Sequence, residues 1–257
     1  MTQHRTTMAP AGQVVLEDHG GWWELILDHP QRRNAITASM AEDLARAVQT
    51  LAESNASAVL LRGAGGAAFC AGSDLREVRA GLADRDQALT VCASMRSTLD
   101  RLEALPLVRV VAVQGAAFGG GAELMLVGHR IVVGAGARIG FVHARLGLSP
   151  GWGGERRLRE RVGVHRAVQL LASAAAVDAE KAFSLGLVDT IAPDDEVVER
   201  ARGWLETVAR RPAGAVRAAV ALCQGRAPDA GAETFERRWG GAEHRSALEQ
   251  MRIGREP

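Results

Sequence analysis

Residues 108–124, with the sequence VRVVAVQGAAFGGGAEL, decide the fold. The first six are apolar apart from Arg109, which predicts a short buried strand. Three glycines then lead into a predicted helix that carries Glu123 in its first turn. N–H groups at the start of a helix have no partner within the helix, and glycine lets a ligand approach them closely. This arrangement suits an anion or a developing oxyanion, although a tight turn with Glu123 as an ordinary first-turn acid fits the pattern equally well.

A second glycine loop, FCAGSDL at residues 69–75, has the same layout. It follows a predicted strand at residues 58–61 and leads into a short predicted helix. The loop offers the free backbone N–H of Ser73, although Ser73 or Asp74 also suits a plain helix cap. Because a thioester oxyanion needs two N–H donors about 3 Å from one oxygen, two such loops indicate an oxyanion site more strongly than either alone.

His143 lies in the apolar sequence GFVHAR at residues 140–145, before a glycine-rich stretch at residues 147–154. A lone histidine among apolar residues is more often a satisfied core residue than a catalytic acid or base, so both roles remain open. The sequence contains no G-K-[ST] phosphate loop, no G-x-S-x-G nucleophile turn and no H-E-x-x-H zinc pattern. We expect no bound metal.

The composition is typical of a globular protein with one main domain. The chain has 257 residues, 47% of them hydrophobic, and 31 basic against 30 acidic residues give a net charge of +1. Because there is no basic excess to hold a polyanion, nucleic acid is not expected as a partner. The three cysteines are widely spaced, and the most apolar stretch, residues 105–137, is interrupted by charges and glycines. We therefore expect a reduced, cytoplasmic protein with neither a disulfide framework nor a membrane span.

Strands and helices alternate along residues 14–193, an order typical of an α/β fold. Loose alternation of apolar and polar residues predicts a β-hairpin at residues 14–28, and Thr37 is placed to cap the helix that follows. Beyond residue 193 the pattern predicts helices alone. We expect three parts: a flexible N-terminus at residues 1–13, a core at residues 14–195 and a helical C-terminal region at residues 196–257.

Taken together, the motifs resemble the crotonase, or enoyl-CoA hydratase/isomerase, superfamily. Five stretches carry the resemblance in the family's order: RNAI at residues 33–36, FCAGSDL at 69–75, VQGAAFGGGAEL at 113–124, PGWGG at 150–154 and AFSLGLV at 182–188. The resemblance implies an α/β fold built as a spiral of ββα units, a helical C-terminal region used in trimerisation, and a homotrimer or hexamer. It also implies that the substrate is a coenzyme A thioester and that no separate cofactor is bound.

The resemblance further implies roles for individual residues. The backbone N–H groups of Ser73 and Gly120 correspond to the oxyanion-hole donors. The positions implied in coenzyme A binding are Ala71 and Leu75 at the adenine pocket, Asp74 in the same loop, and Arg32 or Arg33 near the phosphates. Hydratases of the family use two glutamates to handle water. Glu123 corresponds to the first, and His143 stands in place of the second, so the usual pair is broken.

Some stretches also resemble one branch of this superfamily, the ethylmalonyl-CoA decarboxylases. They are GSDL at 72–75, LPL at 105–107, GGGAE at 119–123, FVH at 141–143 with PGWGG at 150–154, and WGG at 239–241. This resemblance implies loss of CO2 from ethylmalonyl-CoA or methylmalonyl-CoA. Such a reaction leaves an enolate, which the N–H groups of Ser73 and Gly120 would stabilise, and it needs a proton donor, for which His143 and Glu123 are candidates. Two alternatives stay open: an enoyl-CoA hydratase or isomerase that uses Glu123, and a non-catalytic acyl-CoA-binding homologue.

Overall fold

A computed structural model of the chain describes residues 12–81, 85–225 and 230–253. The N-terminus predicted to be flexible, residues 1–13, lies outside the described residues except for its last two. In these described ranges no helix combines the length and the apolar character that crossing a membrane requires.

The described residues form ten strands and eleven α-helices. The strands are β1 Gln13–Asp18, β2 Trp22–Asp28, β3 Ala58–Gly63, β4 Ala68–Cys70, β5 Val108–Val113, β6 Ala116–Phe118, β7 Arg130–Gly134, β8 Arg138–Gly140, β9 Ala176–Asp178 and β10 Thr190–Ala192. The helices are α1 Ala38–Glu53, α2 Leu75–Gly81, α3 Arg85–Ala104, α4 Gly120–Met125, α5 Gly154–Val162, α6 Val164–Ser173, α7 Ala179–Ser184, α8 Val197–Ala209, α9 Ala213–Cys223, α10 Ala230–Arg238 and α11 Ala242–Ile253.

The strands form two sheets. A six-stranded sheet has the order β1-β2-β3-β5-β7-β10, and a four-stranded sheet has the order β4-β6-β8-β9. Neighbouring strands are parallel except for the pairs β1–β2 and β8–β9. A strand of the first sheet is followed by a short strand of the second and then by a helix, as in β3-β4-α2, β5-β6-α4 and β7-β8-α5. The predicted spiral of ββα units is therefore confirmed.

The central strands of the six-stranded sheet are buried on both faces. Val111 and Val113 of β5 face the main core, while Val110 and Ala112 face the opposite side, which helix α8 covers. Because both faces are covered, β5 is apolar at successive positions rather than at alternate ones, and this is the run that the sequence showed. Helix α8, the first helix of the predicted C-terminal region, thus packs directly on the sheet.

Local predictions near the N-terminus are confirmed, while several short elements were not predicted. Strands β1 and β2 pair as an antiparallel hairpin, and Thr37 Oγ1 accepts a hydrogen bond from the Met40 N–H at 3.2 Å. The four strands of the second sheet have three residues each, too few to show a period of two. The strand predicted at residues 187–191 begins only at Thr190, because the Leu187 N–H bonds to the Ala182 carbonyl and closes the turn after α7.

Candidate active site

Three neighbouring parallel strands of the smaller sheet, β4, β6 and β8, end at one edge of that sheet. The segments that follow them carry Ser73, Gly120 and His143, respectively. Because the carboxyl ends of parallel strands meet at the same edge, residues far apart in the sequence come together there. The structure thus brings the four predicted catalytic residues, including Glu123 on α4, to one place.

The two predicted oxyanion donors lie on adjacent loops. Ser73 forms an isolated bridge with Ile36, in which the Gly72 carbonyl accepts from the Ile36 N–H and the Asp74 N–H donates to the Ile36 carbonyl, both at 2.8 Å. The bridge does not use the N–H of Ser73, which points to the other side. A Cβ atom on Gly72 would lie 3.0 Å from the backbone nitrogen of Gly120, the first residue of α4. Two N–H groups on adjacent loops, one of them at a helix start, are the arrangement that an oxyanion hole requires.

Each glycine at the start of α4 is required by its surroundings. Gly119 has φ +54° and ψ −123°, a conformation that residues with a side chain rarely adopt. A Cβ atom on Gly120 would lie 2.6 Å from the Trp152 ring, and one on Gly121 would lie 2.1 Å from the Cys70 carbonyl oxygen. A side chain at any of these three positions would therefore strain the backbone or displace its neighbours.

The Glu123 carboxylate is only 1% exposed, and both its oxygens accept hydrogen bonds. Oε1 accepts from the Gly151 N–H at 3.2 Å, and Oε2 accepts from the Trp152 and Gly154 N–H groups, both at 2.8 Å. His143 Nε2 lies 2.9 Å from Oε1. A carboxylate accepts at both oxygens, so an ionised Glu123 accommodates the three backbone N–H groups and a proton on His143 Nε2 at the same time. In this arrangement Glu123 serves as a hydrogen-bond acceptor.

His143 is the titratable partner of that carboxylate. It lies in a 3-10 turn, Val142–Leu146, just after β8, and its side chain is 12% exposed. An ionised Glu123 can only accept, so in that state the proton of this contact lies on Nε2. Nδ1 is buried and has no hydrogen-bond partner among the described residues. The contact with Glu123 through Nε2 thus fixes the orientation of the ring.

Trp152 and Cys92 also belong to this site, and sequence reasoning missed them. The Trp152 ring packs on Gly120, and its backbone N–H binds Glu123. Cys92 on α3 accepts a hydrogen bond from the Trp152 indole and lies close enough to Glu123 to interact with its charge. Burial raises the pKa of the Cys92 thiol, the charge of Glu123 adds to the rise, and the hydrogen bond opposes it. The PGWGG motif indicated this segment but not what the tryptophan contacts.

Two of the residues predicted to bind coenzyme A, Asp74 and Leu75, lie where the loop after β4 enters α2. Leu75 is 58% exposed, as a residue lining an open pocket would be. Asp74 is buried, and its Oδ1 accepts a hydrogen bond from the Arg76 N–H at 2.8 Å, so its carboxylate caps α2. The helix-cap reading of Asp74 is confirmed, and its part in coenzyme A binding stays a prediction.

The other three predicted binding residues lie where this loop meets the segment after β2. The Ala71 N–H donates to the Arg33 carbonyl at 3.0 Å. Arg33 and Asn34 both have a left-handed backbone, with φ of 53° and 54°. Asn34 holds this turn in place, since its side chain donates to the carbonyls of residues 64 and 68. Arg33 is exposed and Arg32 half-buried, which leaves both guanidinium groups near the surface beside the Ser73 loop.

A cluster with metal-ligand geometry is present far from this edge. Glu17, His19 and Glu24 offer ligand atoms within 4.8 Å of one another. The Glu24 carboxylate already binds the guanidinium groups of Arg62 and Arg202. Two positive charges beside the buried carboxylate oppose the binding of a cation, so this cluster gives no support for a metal site.

Comparison with known proteins assigns the family. Residues 18–254 match the family model described as enoyl-CoA hydratase/isomerase. The chain is 38% identical over 206 residues to the ethylmalonyl-CoA decarboxylase of Gallus gallus, which covers 79% of this chain and 68% of that protein. It is 37% identical over 198 residues to the ethylmalonyl-CoA decarboxylase of Xenopus laevis, with 76% and 66% covered. The match thus spans about two thirds of the length of each relative.

The fold matches solved structures along nearly the whole chain. An enoyl-CoA hydratase from Bacillus anthracis superposes with a TM-score of 0.88 at 28% identity, covering 95% of this chain and 98% of that one. The fold predicted from the resemblance is therefore confirmed. The named relatives and the structural neighbour carry different activities, so the choice between them depends on the chemistry of the site.

Proposed function

Because the chain belongs to the enoyl-CoA hydratase/isomerase family, we propose that it is a lyase that decarboxylates a 2-substituted malonyl-CoA, such as ethylmalonyl-CoA or methylmalonyl-CoA. The products would be CO2 and butyryl-CoA or propionyl-CoA. The similarity to proteins named ethylmalonyl-CoA decarboxylase, at 37–38% identity, supports this choice within the family.

The observation that carries the proposal is the set of contacts that the Glu123 carboxylate makes. Hydration needs a base that activates water and an acid that protonates carbon. The Glu123 oxygens instead accept from three backbone N–H groups, and His143 Nε2 lies within hydrogen-bond distance of Oε1. Decarboxylation needs no base to begin, because the electrons of the breaking bond become those of the enolate. One proton donor then completes the reaction, and His143 is that donor in this proposal.

The proposed reaction has two steps. The bond between C2 and the carboxylate breaks, CO2 leaves, and its bonding electrons form the thioester enolate. The N–H groups of Ser73 and Gly120 hold the enolate oxygen, which carries more negative charge in the transition state than in the substrate, so they lower the barrier. His143 then gives a proton to C2, and water returns one to the imidazole. Glu123 keeps the imidazole oriented throughout.

An enoyl-CoA hydratase or isomerase is the second candidate, favoured by the structural similarity to the Bacillus anthracis hydratase. In that case Glu123 would have to exchange one of its present donors for the substrate water. A non-catalytic acyl-CoA-binding homologue is the third, and it predicts affinity for coenzyme A thioesters with no turnover.

We also propose that the protein works in the cytoplasm as a homotrimer or hexamer, with an acyl-CoA as its small-molecule partner and residues 196–257 as the trimerisation region. Phe235 and Trp239 in this region are 62% and 67% exposed in the single chain, which supports a surface that is covered in an assembly. Light scattering that gives the mass of one chain would contradict this part of the proposal.

A mass-spectrometric time course tests the reaction. Purified protein receives ethylmalonyl-CoA, methylmalonyl-CoA and crotonyl-CoA in separate reactions. Butyryl-CoA and propionyl-CoA formed from the first two would support the proposal. Conversion of crotonyl-CoA to a 3-hydroxy product, with both malonyl thioesters intact, would establish the second candidate instead.

A further inference from the structure

Trp152 contacts both halves of the candidate site. Its backbone N–H donates to Glu123 Oε2 at 2.8 Å. Its six-membered ring lies where a side chain on Gly120 would be, since three ring carbons fall within 2.8 Å of that Cβ position. Trp152 therefore contacts Gly120, the first residue of α4 and a proposed oxyanion donor. It also contacts the Glu123 carboxylate, which holds His143.

The position of Trp152 is set by helix α3. Cys92 on that helix lies beside the residue before Trp152, since a Cβ atom on Gly151 would be 3.8 Å from Cys92 Sγ, and its thiol is the hydrogen-bond partner of the Trp152 indole. The Trp152 carbonyl accepts from Arg157 Nη1 at 2.6 Å, and Arg157 Nη2 lies 2.6 Å from Asp100 Oδ1, which is also on α3. The ring is 3% exposed and so is held on all sides. These contacts only hold the ring in place. Neither the thiol nor the indole exchanges a proton in the proposed steps.

We infer that Trp152 is a positioning residue, which keeps the Gly120 donor in place relative to the Glu123–His143 pair, and that the Cys92 thiol fixes the rotation of its indole ring. The kinetic test of this inference rests on the proposed function, because it measures turnover of the proposed substrate. A displacement of about 1 Å at a reacting centre can cost about 100-fold in rate, so a residue that touches no substrate atom can still control turnover.

Three variants separate the parts of this inference. Trp152→Phe keeps an aromatic ring but shortens it and removes the indole N–H. Cys92→Val removes the acceptor at similar size, and Cys92→Ser keeps an acceptor there. We expect kcat to fall about 10-fold for Trp152→Phe and about 3-fold for Cys92→Val, with KM within about 2-fold in both. Cys92→Ser should restore kcat to near the wild-type value.

The indole resonance gives a readout that does not depend on catalysis. In protein with 15N-labelled indole groups, Trp152→Phe identifies the Trp152 signal among those of the five tryptophans. That signal should move in Cys92→Val. An unmoved signal would overturn the role of Cys92. Unchanged kcat in folded Trp152→Phe, or a rise in KM alone, would overturn the positioning role.

Failure of the proposed function and failure of the positioning role give different results. If the wild type hydrates crotonyl-CoA and leaves malonyl thioesters intact, the proposed function fails, but the same variants are then compared on hydration, which uses the same Gly120 donor. If the wild type turns over no thioester, both fail together. A Tm within a few degrees of the wild type shows that each variant is folded.

Discussion

Glu24 and Glu123 are both buried glutamates, 0% and 1% exposed, but they are held in different ways. Glu24 on β2 binds two guanidinium groups, that of Arg62 on β3 and that of Arg202 on α8, whose Nη2 lies 2.8 Å from Oε1. Glu123 instead accepts from backbone N–H groups and lies beside His143. Glu24 therefore lies between two guanidinium groups, with His19 Nε2 at 3.6 Å from its Oε2, whereas Glu123 lies among backbone dipoles and has His143 as its side-chain partner.

The difference indicates which carboxylate stabilises the fold and which can support chemistry. Burial by itself raises the pKa of Glu24, but the hydrogen bonds and charges of Arg202 and Arg62 outweigh burial and lower it. The Glu24 cluster therefore stays charged near neutral pH and joins two strands to a helix. The side-chain partner of Glu123 is the imidazole of His143, a kind of group that donates and accepts protons in catalysis, so this pair is the candidate for proton transfer.

The largest effect is expected when His143 is replaced. His143→Gln should lower kcat on ethylmalonyl-CoA about 100- to 10,000-fold, because the proton donor is lost. His143→Glu has nearly the same size but adds a charge, and it should also raise KM, because its carboxylate repels that of the substrate. Steady-state kinetics of the two variants separate the effect of the proton from that of the charge.

Calorimetric affinity for coenzyme A serves as the control, and it should be unchanged in His143→Gln. If His143→Gln keeps its kcat but loses several degrees of Tm, His143 is a core histidine and the comparison with Glu24 breaks down.

A smaller effect is expected from displacing Glu123 without replacing it. A Cβ atom on Gly154 would lie 2.4 Å from Glu123 Cγ, so Gly154→Ala must move the carboxylate. We expect kcat to fall about 10- to 100-fold. Gly203→Ala on α8 is the matched control: no atom lies within 4 Å of its Cβ position, and the added methyl should stabilise the helix by about 0.5–1 kcal/mol. Equal activity of the two variants would mean that the placement of Glu123 does not limit turnover.

Replacing Glu24 should change stability and leave chemistry intact. Glu24→Gln removes the charge between Arg62 and Arg202, whose side chains are 20% and 32% exposed and so can partly reach water. We expect the free energy of unfolding to fall by about 1–3 kcal/mol, below the cost of stranding fully buried charges. Chemical denaturation measures the loss, and kcat per folded molecule should match the wild type. A large fall in kcat would remove the distinction between the two glutamates.

The smallest effect is the pH dependence of that stability. The folded state lowers the pKa of Glu24 from its ordinary 4.5, so its contribution is complete above this value and is lost as the pH falls through the folded pKa. Between neutral pH and about pH 3 the wild type should lose more stability than Glu24→Gln, so that the two denaturation midpoints converge in acid. Parallel curves would show that the Arg62–Glu24–Arg202 cluster contributes no charge-dependent stability.

The sequence predicted the parts of the site that depend on local patterns. Glycines after an apolar run indicated the Ser73 and Gly120 loops, because only a strand followed by a helix start explains such a pattern. The contact between Glu123 and His143 has no local pattern. It arises because β6 and β8 are neighbours in a sheet whose strands are too short to recognise in a sequence.

The hydrogen bonding of Glu123 shows the same limit. The sequence left both His143 and Glu123 as candidate proton donors, since the groups that bind the Glu123 carboxylate come from residues 151–154, about thirty positions further along. Trp152 was missed for a related reason. A tryptophan between glycines marks a conspicuous motif, but its contacts with Gly120 and Cys92 exist only after α3 and α5 have packed on α4.

The most direct test of the account is decarboxylation in D2O, followed by mass spectrometry of the thioesters. If the enolate forms by loss of CO2 and is then protonated by an exchangeable group on the enzyme, ethylmalonyl-CoA should give butyryl-CoA with one deuterium at C2. The rate should collapse in His143→Gln. Intact ethylmalonyl-CoA beside rapid conversion of crotonyl-CoA to deuterated 3-hydroxybutyryl-CoA would contradict the account.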